Sequence, residues 1–164
     1  WQIKEFRKGV LDAAPVFAGY FSVALTFGLA AAKSWDSLAL PVLTSMTHLS
    51  GTGQFVLVSL YDGGSPVAAI VSGIVAINLR YFPMAMAVAQ RIAPRTPTWR
   101  RLAIASGMTD EIVAITLQRA APLPFAYIAG LTACSWSGWV LGTIVGANPA
   151  TGAMMPARIG RAHV

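Results

Sequence analysis

Charged residues are scarce in this chain. Only 11% of its 164 residues are charged and 55% are hydrophobic, whereas an average soluble protein carries roughly 25% charged residues. A soluble domain of this length could not bury so much apolar surface. The scarcity of charge excludes an ordinary soluble domain. It predicts an all-α, polytopic helical membrane protein whose single transmembrane domain covers residues 1–164.

Cysteine and the common catalytic motifs are missing as well. The one cysteine, Cys134, lies within an apolar run and has no partner for a disulfide or a metal site. The sequence contains no P-loop, no Gly-x-Gly-x-x-Gly, no His-Glu-x-x-His and no Cys-x-x-Cys. ATP hydrolysis, dinucleotide chemistry and the common zinc sites therefore lack support, and we expect neither a cofactor nor an enzyme.

Positive charge is present, and most of it lies between apolar runs. In a soluble protein the net charge of +6 would suggest nucleic-acid binding. Here the cations flank the runs in three groups: Lys4, Arg7 and Lys8; Arg91, Arg95, Arg100 and Arg101; Arg158 and Arg161. Cytoplasmic loops of membrane proteins carry such residues, which face anionic lipid. The pattern predicts contact with membrane lipid, no nucleic-acid partner and a cytoplasmic N-terminus.

Five apolar runs approach or exceed the length of about 20 helical residues that spans a bilayer. They cover about 10–32, 38–61, 66–90, 102–118 and 123–147. Five simple crossings would place the four-arginine loop outside, against the positive-inside rule. A broken or re-entrant second run places that loop inside with Arg158 and Arg161, and leaves outside Lys33, Asp36 and Asp62. We therefore predict about five transmembrane segments, the second of them broken or re-entrant.

The second run contains the sequence Ser50-Gly51-Thr52-Gly53-Gln54. Each of its two glycines weakens a helix by roughly 1 kcal/mol relative to alanine. Non-helical backbone at membrane depth persists only beside protein or a water-filled cavity. We predict that residues 50–54 line a cavity in which Ser50 and Gln54 can bind a substrate. The alternative is a glycine-rich face that packs against another helix.

Arg80 lies near the midpoint of the third run. An arginine at the bilayer centre costs roughly 2.5–3.5 kcal/mol on insertion scales, so it should face a partner or a wet cavity. Its planar guanidinium can bind both oxygens of a carboxylate. We therefore interpret Arg80 as a group that recognises an anion or a carboxylate. The alternative is an ion pair that only holds helices together.

The acidic partners available to Arg80 are Asp110 and Glu111 in the fourth run. Adjacent helical positions point about 100° apart, so only one of them can pair with Arg80 while the other faces water. A carboxylate held partly out of water binds a proton more readily, as proton coupling requires. The alternative is a polar helix start at the membrane surface, with Thr109 and Asp110 as N-cap residues and Glu111 complementing the helix dipole.

At these same residues the chain resembles the AzlC-type branched-chain amino acid permease family, the large subunit of a two-component exporter. The matching blocks, in order, are 17–29, 50–55, 78–81, 109–111 and 139–143, and the resemblance covers nearly all of residues 6–147. Tyr81 stands where the family's motif usually has a histidine. The family is longer, so we expect a C-terminally shortened chain with 148–164 as its tail.

The resemblance implies a secondary transporter that exports branched-chain or related neutral amino acids across the bacterial cytoplasmic membrane. It also implies a small AzlD-type membrane subunit as partner. The implied substrate-binding or coupling residues are Ser50, Gln54, Asn78, Arg80, Thr109, Asp110 and Glu111.

Two other functions stay open. One is a non-transporting membrane scaffold or an incomplete subunit, in which the same charges only fix the packing of the helices. The other is an intramembrane hydrolase, because His48 lies near Ser50, although the nucleophile elbow Gly-x-Ser-x-Gly is missing.

Overall fold

The computed structural model describes residues 1–35 and 37–154. Asp36 and the two cations after the last run, Arg158 and Arg161, lie outside the described residues. The described part is all-α, as predicted, and contains no β-strand. Its ten helices are α1 Gln2–Asp12, α2 Ala14–Ser34, α3 Ala39–Thr47, α4 Gly51–Asp62, α5 Val67–Asn78, α6 Tyr81–Ala89, α7 Thr98–Ser106, α8 Asp110–Gln118, α9 Phe125–Ala147 and α10 Pro149–Met154.

Three helices of the described part are long and apolar enough to cross a membrane. They are Ala14–Ser34, Val67–Ala89 and Phe125–Ala147. At 1.5 Å per residue their lengths are about 32–35 Å, which matches a hydrocarbon core of about 30 Å. The second of them joins α5 and α6, which continue each other across a turn at Leu79 and Arg80. The predicted count of about five transmembrane segments is not confirmed, because the other two runs form short helices.

Helices α1 and α2 run parallel to α9. A Cβ atom added to Gly130 would meet the backbone of Phe6, and one added to Gly146 would meet that of Leu25. The residue numbers of the contacting positions therefore rise in the same direction along α1–α2 and along α9, as in parallel helices. Contact between backbones is possible because glycine has no side chain, as at the small-residue interfaces of membrane helices.

The second run is broken, as predicted, and forms the pair α3–α4. The break lies at residues 48–50, whereas residues 51–54, where it was expected, form the first turn of α4. These helices, of 9 and 12 residues, are about 13 and 18 Å long and too short to span a bilayer. The end of α4 returns to the end of α2, where Ser34 Oγ donates to Asp62 Oδ2 at 2.6 Å. Since α3 also starts there, the first re-entrant pair, α3–α4, begins and ends at one end of the molecule.

The fourth run forms a second re-entrant pair, α7–α8, with 9 residues in each helix. The loops before α7 and after α8 are hydrogen bonded together. The Leu123 N–H donates to the Arg91 carbonyl at 2.7 Å, and the Ala93 N–H donates to the Leu123 carbonyl at 3.1 Å. The expectation that only the second run turns back is therefore wrong. The signal lies in residues 107–109, where Gly107 ends α7.

The molecule therefore has two distinct ends. The basic end contains α1 and the loops 90–97 and 119–124, since Arg119 bonds Glu5 at 2.7 Å and its carbonyl accepts from Arg91. The opposite end contains residues 35 and 37–38, the loop 63–66 and the end of α9. The four-arginine loop and the N-terminal cations thus lie at the same end, as the charge pattern predicted.

The core consists of two clusters. The larger lies toward the basic end, where α6, α7 and α8 pack on α9 around the buried residues Ile112, Leu123 and Ile128. The smaller lies toward the opposite end and packs α2 on α4 through Phe27 and Val58. The tip of the second re-entrant pair packs in the larger cluster through Met108, and the first re-entrant pair joins the smaller cluster through α4.

Candidate functional site

The tips of the two re-entrant pairs meet beside the turn that separates α5 from α6. An open cavity of about 740 Å³ lies there, within the range of 300–1,000 Å³ typical of ligand sites. Helices α2, α4, α8 and α9 contribute its walls, together with Arg80 and Tyr81. Its polar lining residues are Tyr20, Thr52, Arg80, Tyr81, Thr109, Asp110, Glu111 and Trp139.

Hydroxyl residues are the N-caps of the two helices that start at the cavity, α4 and α8. Ser50 is the N-cap of α4, with an extended backbone, and its side chain accepts from the Gly53 N–H at 3.3 Å. Thr109 is the N-cap residue of α8, although its side chain makes no capping bond. The first turn of a helix carries free N–H groups and a partial positive charge. Because both helices start at the cavity, their N-termini favour an anionic group there.

Arg80 and Asp110 form an ion pair at the cavity, with 3.0 Å between Nη1 and Oδ2. The structure thus shows which of the two candidate acids binds Arg80. Their side chains are 46% and 47% exposed, so the pair is not sealed in the protein. Arg80 also donates to the hydroxyl of Tyr81 at 3.4 Å and lies over its ring, 5.1 Å from the centroid. Nearly half of the surface of each side chain therefore remains open to a ligand.

Glu111 faces a different neighbour. It accepts a hydrogen bond from the hydroxyl of Tyr20 on α2, so the two adjacent carboxylates diverge as helical geometry requires. Thr109, Asp110 and Glu111 do form the start of a helix, as the alternative interpretation held. That start lies at the tip of a re-entrant pair beside the cavity, not at either end of the molecule.

Gln54 lies outside the lining of the cavity and is fully buried. Its Oε1 accepts from Trp139 Nε1 at 3.0 Å and from Ser45 Oγ at 3.3 Å. Its Nε2 donates to the carbonyl of His48. The side chain therefore joins both halves of the first re-entrant pair to α9. Its predicted role in substrate binding stays a prediction.

Asn78 and Ser50 line a second, smaller cavity of about 300 Å³ on the other side of Tyr81. Asn78 Nδ2 lies 3.4 Å from His48 Nε2, and the Tyr81 hydroxyl donates to Ser50 Oγ at 3.4 Å. Leu49 and Tyr81 line both cavities. Among the hydrogen bonds of the described residues, none joins Ser50 to His48, the contact that a serine nucleophile and its base need.

Tyr20 and Trp139 line the cavity, but the sequence reasoning did not single them out. Tyrosine and tryptophan are common as interfacial anchors in membrane proteins, so their presence alone indicates no site. Both residues fall within blocks that resemble the family. Their position on parallel helices, with rings 5.5 Å apart, follows only from the packing of α2 on α9.

The sequence matches the model of the AzlC protein family over residues 15–151, a range that includes every candidate residue described above. An uncharacterized membrane protein of Archaeoglobus fulgidus is 33% identical over 141 residues, which are 86% of this chain and 61% of that protein. The inner membrane protein YgaZ of Escherichia coli is 28% identical over 151 residues, 90% of this chain and 62% of that protein.

An uncharacterized membrane protein of Helicobacter pylori is 25% identical over 150 residues, 87% of this chain and 64% of that protein. The chain thus spans less than two thirds of the length of each of these three relatives. No solved structure matches it.

Proposed function

Because this chain belongs to the AzlC family of membrane proteins, we propose that it exports branched-chain or related neutral amino acids as part of a secondary transporter. The observation that carries the proposal is the cavity of about 740 Å³ at the half-exposed Arg80–Asp110 pair. Three features support an amino-acid substrate there: opposite charges close together, helix N-termini at one side, and apolar walls.

A zwitterion matches the charged groups. Its carboxylate can bind Arg80 and the free N–H groups at the start of α4, and its ammonium can bind Asp110. Entry of the substrate replaces one ion pair by two, so no charge is left without a partner. Val16, Val23 and Phe55 line the same cavity and offer an apolar surface to the substrate's side chain.

Glu111 is our candidate for proton coupling. The charged groups at the cavity are Arg80, Asp110 and Glu111, and their formal charges sum to −1. A zwitterion leaves this sum unchanged, whereas a proton on Glu111 neutralises it. Within the described residues Glu111 has no ion pair, and its one hydrogen-bond partner is the hydroxyl of Tyr20.

The proposed orientation places the basic end in the cytoplasm, because Lys and Arg are enriched on that side of the bacterial inner membrane. Three helices then cross the bilayer, and the two re-entrant pairs enter it from opposite sides, giving about five membrane-inserted segments. A small AzlD-type subunit completes the transporter. The helix Val67–Ala89 leaves room for it, since the apolar side chains of Val71, Val75 and Phe82 are 53–70% exposed.

Transport by the purified chain in proteoliposomes, with and without a co-expressed small subunit, tests the proposal. We expect exchange of labelled leucine or methionine, and its loss in Arg80→Ala while membrane insertion stays normal. Arg95→Ala is the matched control, because Arg95 is exposed in the loop 90–97 at the basic end. Undiminished exchange by Arg80→Ala would contradict the assignment of the site.

A non-transporting or incomplete subunit is the second candidate function. It is favoured by the ion pair of 3.0 Å between Arg80 and Asp110, which joins the turn between α5 and α6 to α8. In that case the Arg80–Asp110 pair fixes the packing of the helices, and neither amino-acid binding nor exchange is measurable with this chain under any condition. Direct binding of labelled leucine to the purified protein separates the two candidates.

A further inference from the structure

We propose that the two re-entrant pairs are separate gates on the cavity. The first gate, α3–α4, opens the cavity toward the opposite end, and the second gate, α7–α8, opens it toward the basic end. Helices α1, α2 and α9 form a fixed frame between them. This inference rests on the transport function proposed above and names the elements that move.

The frame resists sliding because its backbones interlock. A Cβ atom at Gly138 would lie 2.7 Å from the carbonyl oxygen of Phe17, and one at Gly28 would lie 2.5 Å from that of Thr143. No side chain separates the two helices at these positions. Since packed interiors yield little to displacement, a shift of α2 along α9 would bring backbone atoms into collision.

The first gate is attached to the frame at its base and, through polar contacts, near its tip. At the base, Ser34 bonds Asp62 at 2.6 Å, and the second core cluster packs α4 on α2. Toward the tip, the contacts with α9 include hydrogen bonds, one of 2.7 Å between the side chains of Ser45 and Thr143 and one of 3.3 Å from Trp136 Nε1 to the Met46 carbonyl. Because such bonds can be exchanged for bonds to a ligand or to water, the segment can swing about its base.

The second gate is arranged in the same way, but its base lies at the basic end. Its base is fixed at the basic end by the backbone bond between Leu123 and Arg91. Its tip is held by the packing of Met108 in the larger core cluster, by the hydrogen bond from Tyr20 to Glu111 and by the ion pair between Asp110 and Arg80. A substrate that binds Arg80 and Asp110 competes with the contact that keeps this gate closed.

The two gates are linked through the turn between α5 and α6. Tyr81 donates to Ser50 at the tip of the first gate, at 3.4 Å. The neighbouring residue, Arg80, binds Asp110 at the tip of the second gate. Both tips therefore contact the same short segment, so that movement of one gate changes the contacts of the other. In alternating access, elements move against one another around a fixed site, and this shared segment would link two such movements.

The accessibility of a reporter cysteine on the frame tests the gates separately. Gly19→Cys is suitable, because Gly19 lines the cavity and nothing lies within 4 Å of a Cβ atom there. Cys134→Ala removes the native thiol, the one cysteine of the chain. A membrane-impermeant maleimide added to intact or to inverted vesicles then reports access from each side.

Two disulfides can lock the gates individually. Ser45→Cys with Thr143→Cys locks the first gate to α9, because the two hydroxyl oxygens lie 2.7 Å apart. Gly107→Cys with Thr132→Cys locks the second gate, because a Cβ atom at 107 would lie 3.5 Å from the Thr132 Cβ. Disulfides need a Cβ separation of roughly 3.5–4.5 Å. Reduction of each disulfide in the same protein is the matched control.

We expect the first disulfide to slow labelling at least tenfold from the opposite end only, and the second to slow it from the basic end only. Equal slowing from both ends, or none, would overturn the proposal. If a cysteine pair does not oxidise or fold, Trp136→Phe removes the N–H that donates to the Met46 carbonyl at 3.3 Å and should accelerate labelling from the opposite end alone. Acceleration from both ends, or no change, would likewise overturn it. Labelling needs no substrate, so the gates and the transport function can fail independently.

Discussion

A single methyl group added at Gly138 should destabilise the protein markedly. The Cβ atom of alanine would lie 2.7 Å from the Phe17 carbonyl oxygen and 2.9 Å from the ring carbon Cδ2 of Phe17. Ordinary contacts of a Cβ atom begin near 3.4 Å, so α2 and α9 must separate by several tenths of an ångström. Overpacking of this kind costs about 1–3 kcal/mol. Gly138→Ala should therefore lower the Tm by about 2–4 °C for each kcal/mol of lost stability.

Gly19→Ala is the matched control for this prediction. It makes the same substitution in α2, but nothing lies within 4 Å of the added Cβ atom. Alanine is favoured over glycine in a helix by up to about 1 kcal/mol, so the Tm should stay constant or rise. Thermal unfolding of both variants in one detergent measures the difference. Equal Tm values for Gly138→Ala and Gly19→Ala would refute the close parallel packing of α2 on α9.

Two further predictions concern the polar groups around the cavity. Gln54→Leu should cost about 1–3 kcal/mol, because it leaves the Trp139 N–H without its acceptor in a buried site; thermal unfolding measures this cost, and an unchanged Tm would contradict the network. Glu111→Gln should abolish the pH dependence of leucine exchange but keep leucine binding, whereas Asp110→Asn should weaken binding itself. A pH profile that persists in Glu111→Gln would exclude the proposed coupling group.

The break in the second run could be predicted from the sequence because two kinds of evidence agreed. Gly51 and Gly53 weaken the helix locally. The positive-inside rule places the arginine loop on the same side as the N-terminus, so an even number of membrane crossings must separate them. The break in the fourth run had a weaker signal, since Gly107 is a lone glycine near the end of a helix. Each re-entrant pair begins and ends at the same end of the molecule, so α9 runs parallel to α2. The fourth run was predicted to be a transmembrane helix, and that prediction was wrong.

The cost of a charge in the membrane drew attention to Arg80, which the structure places in an ion pair at the cavity, but the choice between Asp110 and Glu111 required the structure. The side chains of Asp110 and Glu111 point in different directions from α8. Those directions depend on how the tip of the second re-entrant pair packs beside α5 and α6. For Gln54, the sequence did not indicate which neighbour the side chain contacts. A glutamine beside a break can face a cavity or a neighbouring helix, and only the position of Trp139 on α9 decides between them.

The most direct test of the account is an exchange of the charges at the cavity. Arg80→Asp combined with Asp110→Arg keeps an ion pair and should recover much of the thermal stability lost in either single variant. It places a carboxylate near the start of α4, where an anionic substrate group would otherwise bind. We predict that this double variant folds but exchanges no labelled leucine in proteoliposomes in which the unaltered protein is active. Leucine exchange at the unaltered rate by the double variant would contradict a substrate site at Arg80.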